Sequence, residues 1–196
     1  MGVHEVSYQK RRGWSNGIRW SGLFFCLFGV FFIPMSEKKY RVLFVCLGNI
    51  CRSPAAEVVC RAELKKAGLV DRVQVDSCGT ASYHVGSRPD SRMIAALSRA
   101  GYEYDGHRAR VFRREDGSRF DLIIPQDQEN QRDVLRTLSA AEADKVQPMS
   151  CWFPGGCRHR EVPDPYYGDA SDFDEVVRLL RDSMPQLLDE LRRRMQ

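Results

Sequence analysis

The sequence predicts an α/β protein: a single doubly wound domain, a four-stranded parallel sheet with helices on both faces, and a Cys-x5-Arg phosphate-binding loop after strand 1. Three observations predict it. Short apolar runs alternate with segments whose apolar residues recur at helical 3–4 spacing. The first run, Val42 to Val45, has no polar interruption, as a strand buried on both faces requires. Strands separated by helices imply parallel pairing with right-handed crossovers, and ligands then bind at the carboxyl ends of the strands.

Lys39 to Val45 reads as strand one. Pro54 to Ala67 reads as the first helix, with Ala55, Val58, Val59 and Ala62 on one face and Gly68 at its stop. Ser53 is the expected cap, with Pro54 at the first helical position. Val73 to Ser77 is the second strand. Asp90 to Ala100 is a helix with Met93, Ile94 and Leu97 as its stripe, ended by Gly101. Phe120 to Ile124 is the third strand, Gln128 to Leu138 a polar helix that Asp127 caps, and Lys145 to Gln147 a fourth strand. The last helix is expected to open at Asp172, with Glu175 completing a capping box. Its stripe runs from Phe173 to Leu191, and Pro185 is expected to kink or split it.

The 196 residues suit one domain, and 43% hydrophobic with 29% charged residues is the balance of a globular protein in water. The net charge of +4 excludes a polyanion-binding surface, because +3 of it lies in residues 1–34, leaving the rest nearly neutral. No nucleic-acid partner is expected. The seven cysteines are odd in number, and no pair has C-x2-C spacing, which argues against a secreted disulfide framework and a zinc site alike. No metal and no cofactor are expected, and the location expected is cytoplasmic.

Residues 1–36 form an N-terminal extension ahead of a domain at 37–196. Gly22 to Ile33 is apolar but short for a membrane span, which needs ~20 apolar residues. No small-x-small cleavage site follows it. The expectation is that Met35 is the true initiator. The alternative is a monotopic membrane anchor, so membrane association is expected only if residues 22–33 are translated and retained.

The chemistry converges on VLFVCLGNICRS, Val42 to Ser53. A strand runs into Cys46, a tight turn follows, and a helix starts near Ser53. Such a loop turns backbone N–H groups inward, where the positive end of the helix also points. Leu47, Gly48, Asn49, Ile50, Cys51 and Arg52 would thus ring an anion, with the Cys46 sulfur at the floor. A thiolate can attack phosphorus, and helix N-termini and cations favour that form. The Arg52 guanidinium matches two oxygens of a phosphate. Gly48 lets the backbone pass close to the ligand, and Asn49 tolerates a left-handed conformation. A leaving oxygen also needs a proton donor. Among 26 carboxylates Asp164 stands out, held between Pro163 and Pro165 and followed by Tyr166 and Tyr167, although Pro-Asp-Pro is also simply a turn.

CLGNICRSP together with VPDPYYG, Val162 to Gly168, resembles the low-molecular-weight protein tyrosine phosphatases. The resemblance runs from about Tyr40 to the end. It implies hydrolysis of phosphotyrosine in proteins through a cysteinyl-phosphate, with Cys46 as nucleophile, Arg52 as phosphate clamp and Asp164 as general acid and then base. It implies Tyr83, Tyr166 and Tyr167 as walls of the substrate pocket, and Asn49, Ser53, Ser77 and His107 as supports of the loop. One extra residue before His107 departs from the pattern. Cys51 is implied as a redox partner of Cys46. Pro125-Gln126-Asp127 replaces the family's small residue–Met–Asp and is expected to alter packing at the pocket rim. The partners implied are phosphotyrosine proteins, among them bacterial tyrosine kinases or host proteins. The alternatives are a thioredoxin-coupled arsenate reductase, with Cys151 and Cys157 as a conceivable pair, a phosphoarginine phosphatase, which Ile50 disfavours, and a non-catalytic phosphotyrosine reader.

Overall fold

Strand β1 (Tyr40–Cys46) is the middle of a three-stranded parallel sheet, flanked by β2 (Val73–Gly79) on one side and β3 (Leu122–Pro125) on the other. The computed structural model describes residues 38–104, 106–155 and 159–196, all within one unit, Ser36–Gln196. The extension, its apolar segment at 22–33, and Cys157 lie outside the described residues. Among the described residues, no helix is long and apolar enough to cross a membrane.

The alternation of side chains along β1 divides the core in two. Val42 and Phe44 face a large cluster built with Val73, Val75, Leu122 and Ile124 and with residues of α1 (Arg52–Lys66), α2 (Ser91–Arg99) and α5 (Ala170–Arg194). Leu43 and Val45 face a smaller cluster with Cys78, Phe120, Ile123 and Val134 of α4 (Gln128–Thr137). A four-residue helix, α3 (Asp116–Arg119), precedes β3. Helices therefore cover both faces, and the buried apolar strand read from the sequence is the central one.

Three expectations need correction. Among the described residues the fourth strand is a single parallel bridge, Ile123 to Val146. A 3-10 turn over Ala140–Lys145 runs up to it, and Pro148, with no N–H to donate, follows, so too little chain is left for a ladder. Helix α5 opens at Ala170, not Asp172. Its capping box is Asp169 with Asp172, where the Asp169 N–H donates to Asp172 Oδ2 at 2.9 Å. The helix also runs unbroken past Pro185 to Arg194. An interior proline costs about 3 kcal/mol. Met184, Leu187, Leu188 and Leu191 around it are all buried, and each contributes roughly 1.5–3 kcal/mol, so packing outweighs the lost hydrogen bond.

Candidate active site

β1 ends on Cys46 and α1 begins at Arg52, so the five residues between them must reverse the chain tightly. Asn49 makes this possible: at φ 55° it is the one described non-glycine residue in the left-handed region. Its amide then reaches the surroundings in full. Nδ2 donates to Ser53 Oγ and Ser77 Oγ, both at 2.9 Å. Oδ1 accepts the Arg110 N–H at 2.9 Å and lies 3.0 Å from His107 Nε2. The three supports named from the sequence thus meet on one side chain, the extra residue before His107 notwithstanding.

Glu57 escaped the sequence reading. It is 2% exposed, accepts from Ser77 Oγ at 2.6 Å, and lies 3.2 Å from His107 Nδ1 and 2.5 Å from Arg61 Nη2. The available signal was a single charge inside the apolar run AAEVV on the first helix. Glu57, Asp76 and His107 are also the described set with metal-ligand chemistry, their donor atoms lying within 4.8 Å of one another. Ser77, Arg61 and Arg110 already bond these carboxylates, so the set serves as a hydrogen-bonded hub beneath the loop.

Cys46 is 3% exposed. Its sulfur accepts the Asn49 N–H at 3.3 Å and lies 3.0 Å from Ser53 Oγ. Ser53 is not the helix cap expected. Helix α1 already starts at Arg52, which frees the Ser53 hydroxyl to turn inward toward the sulfur and the Cys78 carbonyl, 3.1 Å away. Pro54 is still in the first turn, where its missing N–H costs nothing.

Arg52 is 4% exposed and both of its terminal nitrogens are bonded. Nη1 donates to Asp127 Oδ2 at 2.5 Å and to the Val162 carbonyl at 3.3 Å, and Nη2 donates to Asp164 Oδ2 at 2.8 Å. Burial by itself would lower the pKa of this guanidinium. The negative partners Cys46, Asp164 and Asp127 outweigh it and hold the pKa above its ordinary value. Asp127 caps α4 as expected, accepting the Asn130 N–H at 2.7 Å, but its grip on Arg52 was not foreseen. The unusual Gln126 is buried, and its backbone bonds the Val45 carbonyl on one side and the Val162 N–H on the other, each at 2.9 Å. It therefore ties the end of β1 to the chain that leads into Asp164.

These groups open into a cleft of about 270 Å3. Cys46, Leu47, Gly48, Ile50, Cys51 and Arg52 form its floor and one side, while Tyr83, Asp164, Tyr166 and Tyr167 form its rim. Asn49, expected among the phosphate ligands, does not line the cleft; it lies fully buried below it. Tyr83 and Tyr167 are 82% and 97% exposed, and the Tyr166 and Tyr167 rings meet edge to face at 5.0 Å. His84 also lines the cleft, its ring 6.3 Å from that of Tyr166, and the sequence reading missed it. Cys51 is a wall residue whose thiol pKa is pushed far up by burial, then by the charges of Asp90, Cys46 and Asp164.

A thiol, a guanidinium and a carboxylate lining one cleft can carry out phosphoryl transfer, and comparison with known proteins agrees. The family model described as low molecular weight phosphotyrosine protein phosphatase matches residues 41–196. A Synechocystis relative is 46% identical over 151 residues, 77% of this chain and 96% of its own. The low molecular weight protein-tyrosine-phosphatase of Streptomyces coelicolor is 42% identical over 158 residues, covering 78% of this chain and 94% of that one. In structure, the chain is similar to a protein tyrosine phosphatase of Entamoeba histolytica, with a TM-score of 0.77 and 35% identity over 81% of this chain and all of the other. The loop, the distant acid and these relatives agree, and the chain belongs to the low-molecular-weight phosphotyrosine protein phosphatase family.

Proposed function

We propose that this enzyme hydrolyses phosphotyrosine in proteins by two displacements at phosphorus in the Cys46 cleft. The Cys46 thiolate attacks phosphorus and the bond to the tyrosine oxygen breaks. Asp164 gives its proton to that oxygen, so neutral tyrosine leaves and a cysteinyl-phosphate remains. Water then attacks phosphorus while the Asp164 carboxylate takes a proton from it. The P–S bond breaks, and inorganic phosphate and the thiolate are released. Arg52 holds two phosphoryl oxygens throughout, and the positive end of α1 favours the same charge.

The observation that carries this reading is the meeting of Arg52 and Asp164, 112 residues apart in sequence, at 2.8 Å over one cleft with Cys46. Tyr83, Tyr166 and Tyr167 give the cleft aromatic walls that suit a flat phenol. In this reading the sulfur lies at the floor of the slot, so phosphoserine, with its short stem, leaves phosphorus above it and is rejected. Cys51 is in turn the resolving thiol: a peroxide oxidises the Cys46 thiolate to the sulfenic acid and is itself reduced to water or an alcohol, and the Cys51 thiol then condenses with the sulfenic acid to a disulfide with loss of water, a state that thiols reverse. A nucleophile that works only as a free thiolate suits a reducing compartment, which is the support for a cytoplasmic location. Substrates would be phosphotyrosine proteins, with bacterial tyrosine kinases and host proteins the classes to examine. The relatives are phosphatases, and arsenate reduction is not favoured.

The test is a competition among phosphotyrosine, phosphoarginine and phosphoserine peptides, with arsenate reduction measured in parallel. Preferential release of phosphate from phosphotyrosine is expected. Faster turnover of phosphoarginine, or arsenate reduction coupled to thioredoxin, overturns the reading.

A further inference from the structure

We propose that Arg92, outside the cleft, is a positioning residue that fixes the Asp164 loop against the Cys46 loop. The proposal rests on the reading of Asp164 as proton donor.

Arg92 lies at the start of α2 and bridges two segments that share no secondary structure. On one side it is clamped to Asp90: Nε donates to Oδ1 at 3.0 Å and Nη2 to Oδ2 at 2.7 Å. Asp90 in turn caps α2 through the Arg92 N–H at 2.8 Å, and its own N–H donates to the Ile50 carbonyl at 2.8 Å, inside the nucleophile loop. On the other side, Arg92 Nη2 donates to the Tyr166 carbonyl at 3.0 Å and Nη1 to the Gly168 carbonyl at 3.4 Å. The guanidinium also lies over the Phe173 ring, 4.5 Å from its centroid, and Phe173 is fully buried at the start of α5. The Tyr166 N–H closes the path by donating to Asp164 Oδ1 at 3.2 Å. A continuous set of bonds therefore runs from Ile50 through Asp90, Arg92 and Tyr166 to the acid.

The need for such a strut follows from the geometry around it. Asp164 is 43% exposed and sits on a segment outside helix and sheet. Its side-chain bonds within the site are to Arg52 and to its own turn. Arg52 must turn its fork to phosphate oxygens during reaction, so a second, substrate-independent anchor keeps the carboxyl in reach of the leaving oxygen. Lysine cannot substitute, since one ammonium cannot span both Asp90 oxygens and two carbonyls.

The experiment measures kcat/KM for phenyl phosphate, a poor leaving group, and 2,4-dinitrophenyl phosphate, a good one. The proteins are the full chain, Arg92→Ala, Arg92→Lys, Asp164→Ala and the Arg92→Ala/Asp164→Ala double variant, with thermal midpoints for each. Arg92→Ala and Arg92→Lys are expected to lower phenyl phosphate turnover about tenfold, the scale of a sub-ångström misplacement of a catalytic group, with much less effect on the dinitrophenyl ester. On the Asp164→Ala background, Arg92→Ala is expected to change the rate by no more than about twofold, because its effect runs through the missing acid. Equal losses on both esters, a further full loss in the double variant, or wild-type rates in Arg92→Ala overturn the proposal. If Asp164→Ala shows no preference between the esters, the assignment of the acid itself falls; if it does and Arg92→Ala does not, only the strut falls. Should Arg92→Ala not fold, Arg92→Gln, which keeps one donor for the Tyr166 carbonyl, carries the same comparison.

Discussion

Arg52 Nη2 lies 2.8 Å from Asp164 Oδ2, so the proposed phosphate clamp and the proposed proton donor share one ion pair lining the cleft. An incoming phosphate dianion brings its own oxygens to the same guanidinium. The guanidinium can then turn from the carboxylate to the substrate, which leaves Asp164 facing the leaving oxygen. In Asp164→Ala this donor is gone. The expected result is a loss of about 10²-fold or more in kcat/KM for phenyl phosphate and a far smaller one for dinitrophenyl phosphate, measured by steady-state kinetics. Equal losses on both esters would count against Asp164.

The Cys46 sulfur accepts the Asn49 N–H at 3.3 Å, lies 3.0 Å from Ser53 Oγ, and shares its cleft with Arg52. Cys46→Ser keeps the volume and the ring of amides but removes the ionisable nucleophile. Turnover is expected to vanish while inorganic phosphate still binds, as read by calorimetry. Substantial residual turnover would refute the assignment.

Much of this site was legible before any coordinates. An unbroken apolar strand, a Gly-containing turn and a Ser-Pro helix start define a strand-loop-helix, and the chemistry of Cys46 and Arg52 follows from their places in it. Asp164 was implied only by the family resemblance, and the fold brings it against Arg52 over the same cleft. One contact that stayed hidden is held by tertiary structure alone. The bond from Asp127 to Arg52 spans 75 residues, and nothing local marks it. The fourth strand failed because three residues flanked by a 3-10 turn and a proline cannot form a ladder, although their apolar centre, Val146, does pair once. The capping residue of α5 lies three residues before the one expected because two acidic pairs, Asp169 with Asp172 and Asp172 with Glu175, carry the same spacing. The coordinates select the first.

Asn49 makes a structural prediction. Its amide holds Ser53, Ser77, His107 and the Arg110 N–H in a fully buried position. Asn49→Ala removes four hydrogen bonds from this buried hub and places a Cβ residue at φ 55° with no side-chain bond to offset it. A loss of about 3 kcal/mol in denaturant unfolding is expected. Asn49→Gly loses the same bonds but accepts the left-handed backbone, so it is expected to be about 1 kcal/mol milder. If glycine were as damaging as alanine, the backbone part of this account would be wrong.

Two glycines separate backbone clash from side-chain clash. A Cβ on Gly79 would stand 2.5 Å from the Leu47 carbonyl oxygen and 3.1 Å from the Asn49 nitrogen, both backbone atoms of the nucleophile loop. A Cβ on Gly48 would meet His84 Cδ2 at 3.0 Å, part of a side chain that can turn away. Gly79→Ala is therefore expected to displace the loop, cost about 1–3 kcal/mol and reduce kcat/KM sharply. Gly48→Ala is expected to leave the thermal midpoint nearly unchanged. Similar midpoints for the two variants would show that β2 does not constrain the loop.

Stability at alkaline pH is governed in part by buried thiols. Cys60 on α1 is fully buried, and burial, then the Glu57 charge, pushes its thiol up from 9.0 to about 12. A group raised in the folded state contributes stability that is complete below its unfolded value and is lost as pH climbs toward the folded one. The unfolded chain releases the Cys60 proton above pH 9 while the folded chain keeps it to about 12, so the folded state binds more protons between these limits and stability falls with rising pH. The largest slope from this one thiol is about 1.4 kcal/mol per pH unit. Cys60→Ala is expected to start from a lower stability at pH 8, because it leaves a small cavity, and then to decline less steeply between pH 9 and 11 in urea titrations. Cys51, Cys78 and Tyr102 are also raised and give the variant a residual decline, so the comparison reads the difference in slope. Parallel slopes for the variant and the unaltered chain would mean that the Cys60 thiol is not held neutral by the fold.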